Sequence, residues 1–417
     1  MAQTFSFRLK RARTPRDALF GIFPDIPWYG RWLQEQLRLQ PSSMFDCLPG
    51  FDCEHDESLT KRFLPLCSKV SKIIKDSDAS SIDSIVESLL REGSISAGDE
   101  HQHLDSAATL VFGIIGWLTM LYRPDSLSCP STEFCIADEM DGHRGDGHMS
   151  LKQGRMGSSK RLPDFLLGFG LMLPPANSHA IADAEEMKLY DKLKSVEPST
   201  LNLHLLTTIG GVSVEWTDCL ACHLELDKDA RLVYLFRYPS FCRANLPNAG
   251  TEAGILHACA SDGLDNDYWV TKQDVSQFLE EVLLSYRLLF GQNIRSRRLF
   301  QKLSPFQGMS LNDRDELLTQ LCTSKDSNMP FGITQRDSYE LARDFSHLRT
   351  KIVRLNNHLN ERKPRSWTEL WLDNRDSASW LTFWAVIIIG SIGLLLAFIQ
   401  VILQIVQLSY QLQHPGS

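Results

Sequence analysis

The chain of 417 residues carries a formal net charge of -8 and has a pI of about 5.9. A nucleic-acid binder neutralises phosphates with a basic face, so this balance argues against a nucleic-acid partner. Hydrophobic residues make up 43% of the chain and charged residues 23%, which is typical of a folded globular body. The length suffices for two domains or one large one.

The first sixteen residues are basic, and their positive charges are Arg8, Lys10, Arg11, Arg13 and Arg16. They lack the apolar core of a secretory signal, and we interpret them as a solvated basic arm rather than a mitochondrial presequence. The ten cysteines have no regular spacing, and the chain has no Asn-x-Ser/Thr sequon. We therefore expect the cysteines to be reduced thiols in the cytosol. We expect the membrane that the chain binds to be an internal one other than the mitochondrial membrane.

Helical periodicity marks three segments of the body. Residues 82–90 predict an amphipathic helix that Gly93 ends, and residues 275–289 predict another. Residues 107–122 are apolar for sixteen positions, too short for a membrane span, and predict a buried core helix. Residues 124–160 have no periodicity and are rich in Ser, Gly, Asp and His, so we predict a mobile loop there.

Alternating apolar residues predict a small antiparallel sheet. The alternation runs through Val212, Val214 and Trp216 and again from Leu220 to Leu226, and a turn at residues 227–229 precedes a returning apolar run. We predict a hairpin over about 212–238 with one buried face. Further on, apolar residues recur at intervals of four and three over 338–360, which predicts a heptad-like helix that packs on the protein's own body.

His223 and Asp227 are the candidate catalytic residues. They form an HxxxD pattern, in which acyltransferases of the condensation type use the histidine as general base, although Lys228 replaces the glycine that often follows. Cys219 and Cys222 precede His223 and match a haem-attachment pattern, but residues three apart in a strand face opposite sides, which excludes haem. Cys47, Cys53 and His55 lack the spacing of a metal site, and we find no phosphate-binding glycine loop. We predict no cofactor and no metal.

Residues 381–399 contain no charge, and a helix of that length covers about 28 Å, close to the hydrocarbon thickness of a bilayer. We predict a transmembrane anchor over 380–408, with a short tail at 409–417. The residues that define it are Trp380, Leu381, Phe383, Trp384, Gly393, Ala397 and Ile399. Its partner is membrane lipid, and a basic, Trp-rich juxtamembrane segment at 366–379 precedes it.

Glutamines Gln400, Gln404 and Gln407 share one face of this helix, and Gly393 and Ala397 lie on a nearby face. Amides are costly in lipid, so the stripe predicts either a helix–helix seam that forms a weak homodimer or solvation at the membrane interface. The sequence alone does not decide between the helix–helix seam and solvation at the interface.

Several segments resemble a large group of filamentous-fungal proteins of uncharacterised activity, which have a soluble N-terminal region and one C-terminal membrane helix. The resemblance lies in residues 116–124, 162–175, 210–227, 235–242 and 371–404, and the Trp-rich entry to the span is its most specific part. It implies this architecture, and since members often lie near secondary-metabolite genes it implies an accessory role there.

Together these features predict a mainly helical α+β cytosolic body over 1–365 and a tail-anchored, single-pass topology. Arg362, Lys363, Arg365 and Arg375 precede the span and no Lys or Arg follows it, which places the body in the cytosol. We expect a membrane-tethered, non-catalytic accessory or scaffold protein. The alternative is a membrane-bound enzyme, an acyltransferase built around His223 and Asp227.

Overall fold

The computed structural model describes residues 26–52, 55, 58–77, 80–96, 101–139, 151–171, 184–247, 254–260, 270–325, 336–362 and 377–413. Within these ranges the chain is a mainly helical α+β protein with three small sheets and one long C-terminal helix. The predicted fold class is therefore confirmed. The basic arm at 1–16 and residues 366–376 of the predicted juxtamembrane segment 366–379 lie outside the described residues. Residues 377–379 begin the long C-terminal helix.

The helices of the body are α1 (Tyr29–Arg38), α2 (Leu64–Asp76), α3 (Ile82–Arg91), α4 (His101–Thr119), α5 (Leu162–Gly168), α6 (Ala184–Lys192), α7 (Leu203–Thr208), α8 (Pro239–Asn245), α9 (Ile255–Ala258), α10 (Lys272–Tyr286), α11 (Ile294–Leu303), α12 (Glu316–Thr323), α13 (Leu341–Asp344) and α14 (Arg349–Glu361). The strands are β1 (Glu133–Cys135), β2 (Lys152–Gly154), β3 (Ser195–Val196), β4 (Ser213–Thr217), β5 (Leu226–Asp227), β6 (Leu232–Phe236) and β7 (Tyr339–Glu340). The terminal helix is α15 (Ser377–Gln413).

Helix α4 runs through the core, as its apolar composition predicts. Trp117 is 1% exposed and Ile114 is fully buried. Two glycines permit this close packing: a Cβ on Gly113 would lie 2.4 Å from the Met44 side chain, and one on Gly116 would lie 2.7 Å from Tyr122. The helix is therefore a core element of the body rather than a second membrane segment.

The amphipathic helix predicted at 82–90 is α3. Ser81 and Ser84 form a capping box at its start, and Gly93 lies just past its end with a φ of +65°. A positive φ is readily adopted by glycine alone among common residues, so Gly93 ends the helix as predicted.

The segment predicted as a mobile loop at 124–160 is partly folded, and that prediction is wrong for its two ends. Strand β1 pairs antiparallel with β2, and a short 3₁₀ helix, Arg155–Ser159, follows. Residues 140–150 lie outside the described residues. Phe134 is 1% exposed and packs on Phe112 of the core helix, with ring centroids 5.1 Å apart. A single buried aromatic side chain thus orders a strand that composition alone does not indicate.

The sheet predicted at 212–238 has a different topology from a simple hairpin. Strand β4 pairs parallel with β6, while β5 pairs antiparallel with β6, so the strand order is β4-β6-β5. The hairpin itself is confined to β5 and β6, and its turn follows Asp227. Residues Leu220–Cys222 form a 3₁₀ turn instead of a strand. This turn lets the chain cross from one edge of β6 to the other.

The single heptad-like helix predicted at 338–360 is also divided. Phe345 has a φ of -147° and a ψ of 46°, outside the helical region, and it separates α13 from α14. The seam residues are nevertheless at most 1% exposed: Leu341, Phe345, Leu348, Ile352, Leu355 and Leu359. The seam therefore packs on the body, as predicted, although a bent chain presents it.

Candidate functional site

His223 lies in the core with no exposed surface. The Phe236 backbone N–H donates to its Nδ1 at 3.2 Å, so the ring proton is on Nε2, which donates to Ser285 Oγ at 2.8 Å. The Ser285 hydroxyl in turn donates to the Val282 carbonyl at 2.7 Å. Burial, with Lys351 nearby, holds the pKa of His223 well below its usual range. The imidazole is thus neutral and joins β6 to α10.

Asp227 serves a different purpose from His223. Its Oδ1 accepts the backbone N–H groups of Asp229 and Ala230, both at 2.8 Å, which fixes the turn between β5 and β6. An aspartate that bonds to the backbone two residues on is a common turn device. Both ring nitrogens of His223 form hydrogen bonds, one with Phe236 and one with Ser285. The two residues of the HxxxD pattern therefore have separate structural roles.

Cys219 and Cys222 lie together, contrary to the argument that a strand would separate them. Cys219 precedes the 3₁₀ turn and Cys222 ends it, both are buried, and the Cys222 thiol forms a hydrogen bond with Cys219. Cys219 Sγ donates to the Leu121 carbonyl at 2.9 Å. The bond from Cys219 and burial raise the pKa of Cys222 well above its usual range. The Cys222 thiol is therefore a protonated packing group at neutral pH.

Lys351 of α14 holds the loop that carries these residues. Its Nζ donates to the carbonyls of Ala221 and His223 at 2.7 and 2.9 Å and lies 3.3 Å from Glu225 Oε1. The partners are about 130 residues away along the chain, so no sequence spacing indicates this contact. The last helix of the body is thereby fixed to its central sheet.

Glu281 of α10 caps the start of α14. Its carboxylate accepts the backbone N–H groups of His347 and Leu348, each at 2.9 Å, and the Ser346 hydroxyl at 3.0 Å. An acid at a helix N-terminus satisfies N–H groups that the helix leaves unpaired. Burial outweighs these bonds and raises the pKa of Glu281 from 4.5 to about 7. Sequence analysis missed this residue because a remote cap leaves no local pattern.

A cavity of about 400 Å³ lies beside α4 and β1. Met44, Phe112 and Phe134 contribute its apolar surface, and its wall includes a disulfide between Cys129 and Cys135. The expectation of reduced thiols is therefore wrong for this pair. Two acids at the cavity lie close to cations: Asp105 Oδ1 lies 3.4 Å from Arg155 Nε, and Glu133 lies 3.7 Å from Lys152. A third, Asp125, accepts the Ser128 backbone N–H at 3.1 Å.

Helix α15 is the feature that contrasts most with the body. It has 37 residues, and its segment Trp384–Tyr410 is the one stretch among the described residues long and apolar enough to cross a membrane. None of that segment is buried against the rest of the protein. The prediction of one membrane-crossing helix is thus supported by length, composition and exposure. Helix α15 continues through Gln413, so the tail predicted from residue 409 begins later than expected.

The predicted anchor residues all lie within α15. Leu381 is 61% exposed and Ile399 is 44% exposed, while the side chains of Trp380 and Phe383 lie outside the described residues. Gly393 would have open space around an added Cβ. The helix thus presents an uncovered apolar surface.

Comparison of the chain with protein-family models, with curated proteins and with solved structures finds no match. The molecule thus has two contrasting parts. One is a body in which His223, Asp227 and Glu281 bond to other side chains and to the backbone, and the other is a long exposed apolar helix.

Proposed function

We propose that this chain is a membrane-tethered accessory or scaffold protein, held on an internal membrane by α15. The observation that carries the proposal is that none of the apolar segment Trp384–Tyr410 is buried against the body. In water, so much contiguous apolar surface is a liability, whereas in a bilayer an α-helix satisfies its own backbone groups and the apolar side chains face lipid.

The dimensions of the segment support a crossing orientation. Trp384 and Tyr410 bracket about 39 Å of helix, close to the full bilayer thickness of about 40 Å that includes the headgroups. Such aromatic side chains are enriched at both membrane interfaces. The basic residues Arg362, Lys363, Arg365 and Arg375 precede the helix, and the body accordingly faces the cytosol in this proposal.

The roles of the buried polar residues support an accessory function. His223 joins a strand to a helix, Asp227 fixes a turn and Glu281 caps a helix. The resemblance to the fungal group, whose members lie near secondary-metabolite genes, motivates the assignment of the accessory role to that metabolism.

Removal of residues 377–417 tests the tether. The variant should move from the membrane fraction to the soluble fraction and keep the near-UV circular dichroism of a packed body, since none of the segment Trp384–Tyr410 is buried against that body. The matched control replaces 377–413 by an unrelated transmembrane helix of equal length. That control should regain the membrane location, which assigns the loss in the truncated chain to the missing tether. A truncated chain that resists carbonate extraction would contradict the proposal.

The variant His223→Asn tests the accessory role against the acyltransferase alternative. The Asn carbonyl retains an acceptor for the Phe236 N–H but cannot act as a general base. We expect a loss of about 1–3 kcal/mol in the free energy of unfolding, from the unpaired Ser285 contact, and an unchanged phenotype at matched protein abundance. Loss of the phenotype in a folded, abundant variant would favour the enzyme.

A further inference from the structure

Small and amide residues form a stripe along α15 that indicates a role for this helix beyond anchoring. Gly393, Ala397, Gln400, Gln404 and Gln407 are spaced by four, three, four and three residues. Because α15 is one uninterrupted helix over this range, the five residues form a single continuous seam, here called the amide seam. Their average spacing of 3.5 residues is the repeat of a left-handed helix pair.

The position of the seam in the bilayer distinguishes its two interpretations. When Trp384 and Tyr410 lie at opposite interfaces, the centre of the segment falls at residue 397. Gln400 then lies about 5 Å and Gln404 about 11 Å from the midplane, both inside a hydrocarbon layer that extends about 15 Å to each side. Water at the interface therefore reaches neither amide, and only Gln407 approaches the boundary.

The glutamine side chains are exposed and need partners in that environment. Within the described part of the chain no hydrogen bond reaches the amides of Gln400, Gln404 or Gln407. Ser409, by contrast, donates to the Val406 carbonyl of its own helix at 3.1 Å. An amide buried in hydrocarbon without a partner is costly, so a second surface has to supply donors and acceptors.

A second copy of the chain is the partner that fits this surface. All copies share one orientation in the membrane, so two α15 helices pair in parallel and each seam residue faces its equivalent. An amide both donates and accepts, and is therefore complementary to itself across a two-fold axis. Gly393 and Ala397 are small and allow the two backbones to approach in the half of the helix that lacks glutamines.

We propose that α15 forms a parallel homodimer through the amide seam, which makes the protein a two-copy scaffold on its membrane. The proposal rests on the membrane-crossing role proposed above. Hydrogen bonds between transmembrane helices are individually weak, and three layers of them predict a dissociation constant about 20-fold lower than that of a seam without amides. The dimer is thus reversible.

The test reconstitutes the full-length protein, labelled with donor or acceptor dyes, into phosphatidylcholine vesicles and measures energy transfer against protein density. The triple variant Gln400→Leu, Gln404→Leu and Gln407→Leu should raise the dissociation constant about 20-fold. Gly393→Ile should also weaken pairing, because the bulky side chain separates the backbones. Ser391→Ile is the matched control: it lies about 160° around the helix from Gly393 and should leave energy transfer unchanged.

An unchanged dissociation constant in the triple variant would overturn the seam and assign the glutamines to solvation. Equal losses in Gly393→Ile and Ser391→Ile would overturn it as well, because they would show an effect that does not depend on the face. Carbonate extraction of the same vesicles separates this failure from failure of the tether. A chain that stays in the pellet but does not pair retains the proposed function, whereas a chain that washes off loses both.

Discussion

Two stretches of this chain share one spacing of seam residues and lie in opposite surroundings. In the body, the seam from Leu341 to Leu359 recurs every four and three residues and is at most 1% exposed. In α15 the seam from Gly393 to Gln407 has the same spacing and is exposed. The spacing places the residues on one face of a helix, and their chemistry determines what covers that face. The apolar face in the body packs on the protein's own core, whereas the amides of α15 require a second helix.

The same contrast holds for polar groups. In the body, His223 and Glu281 each engage neighbours that the fold brings from far along the chain. In α15, no hydrogen bond reaches the amides of the seam glutamines within the described residues. Polar side chains paired with distant residues in the body, and exposed amides in α15, therefore distinguish the two regions.

The largest expected effect contrasts a core leucine with a leucine of the exposed helix. Leu355→Ala removes a fully buried side chain from α14, and we expect the free energy of unfolding of the body to fall by about 2–5 kcal/mol. Leu403→Ala, at a position that is 58% exposed, should leave it unchanged. Urea titration of the full-length chain in detergent, followed by tryptophan fluorescence, measures both. Equal losses would show that α15 is packed on the body.

A smaller effect is expected from the pH dependence of the helix cap. Because the pKa of Glu281 rises from 4.5 to about 7, the folded body binds a proton that the unfolded chain has released between these values. The free energy of unfolding therefore falls as pH rises through that window, and the fall ends above pH 7. Glu281→Gln removes this contribution. Relative to the wild type, the free energy of unfolding of the variant should therefore rise by up to about 3 kcal/mol as the pH goes from 4.5 to 7.

The control for this cap is Glu280→Gln, which removes an exposed carboxylate from the same helix and should preserve the wild-type pH profile. His347, next to the cap, has a pKa lowered by burial to about 4, and its contribution has the opposite sign: stability is lost as pH falls from 6.5. Since both variants retain His347, its contribution cancels in the comparison. Identical profiles for the two variants would show that the Glu281 carboxyl is not desolvated.

The smallest of these effects concerns the disulfide beside the cavity. Cys129 and Cys135 are six residues apart, and closure of so short a loop stabilises the fold by about 2 kcal/mol. Cys129→Ser should therefore lower the free energy of unfolding by about that amount in oxidising buffer and have little effect in dithiothreitol. Urea titration in the two buffers measures the difference, and an equal loss in both would show that the serine acts through packing rather than through the bond.

Local patterns predicted the elements whose causes are local. The capped helix at Ile82–Arg91, the core helix through Trp117 and the long terminal helix follow from periodicity, capping and unbroken apolar composition. The pairing of the strands was harder to predict from the sequence. The parallel register of β4 with β6 depends on a 3₁₀ turn whose sequence resembles an alternating strand. The break at Phe345 likewise interrupts a regular heptad pattern.

The residues that join distant parts could not be predicted in the same way. Lys351 bonds to carbonyls about 130 positions earlier, and Glu281 caps a helix 67 positions later. Neither contact has a spacing rule, because the fold alone sets the distance. The glutamines of α15 were visible in the sequence, but the uninterrupted helix and the flanking Trp384 and Tyr410 were needed to place them at a depth in the bilayer.

The central claim is that α15 crosses the membrane with the body in the cytosol, and protease protection with a tag at each end tests it most directly. Protease added to intact organelles should digest the N-terminal tag together with the body and leave a protected fragment that carries α15 and the C-terminal tag. Detergent should then expose that fragment to digestion. Loss of both tags from intact organelles would show that α15 lies on the membrane surface. Protection of the N-terminal tag together with loss of the C-terminal tag would show the reverse orientation.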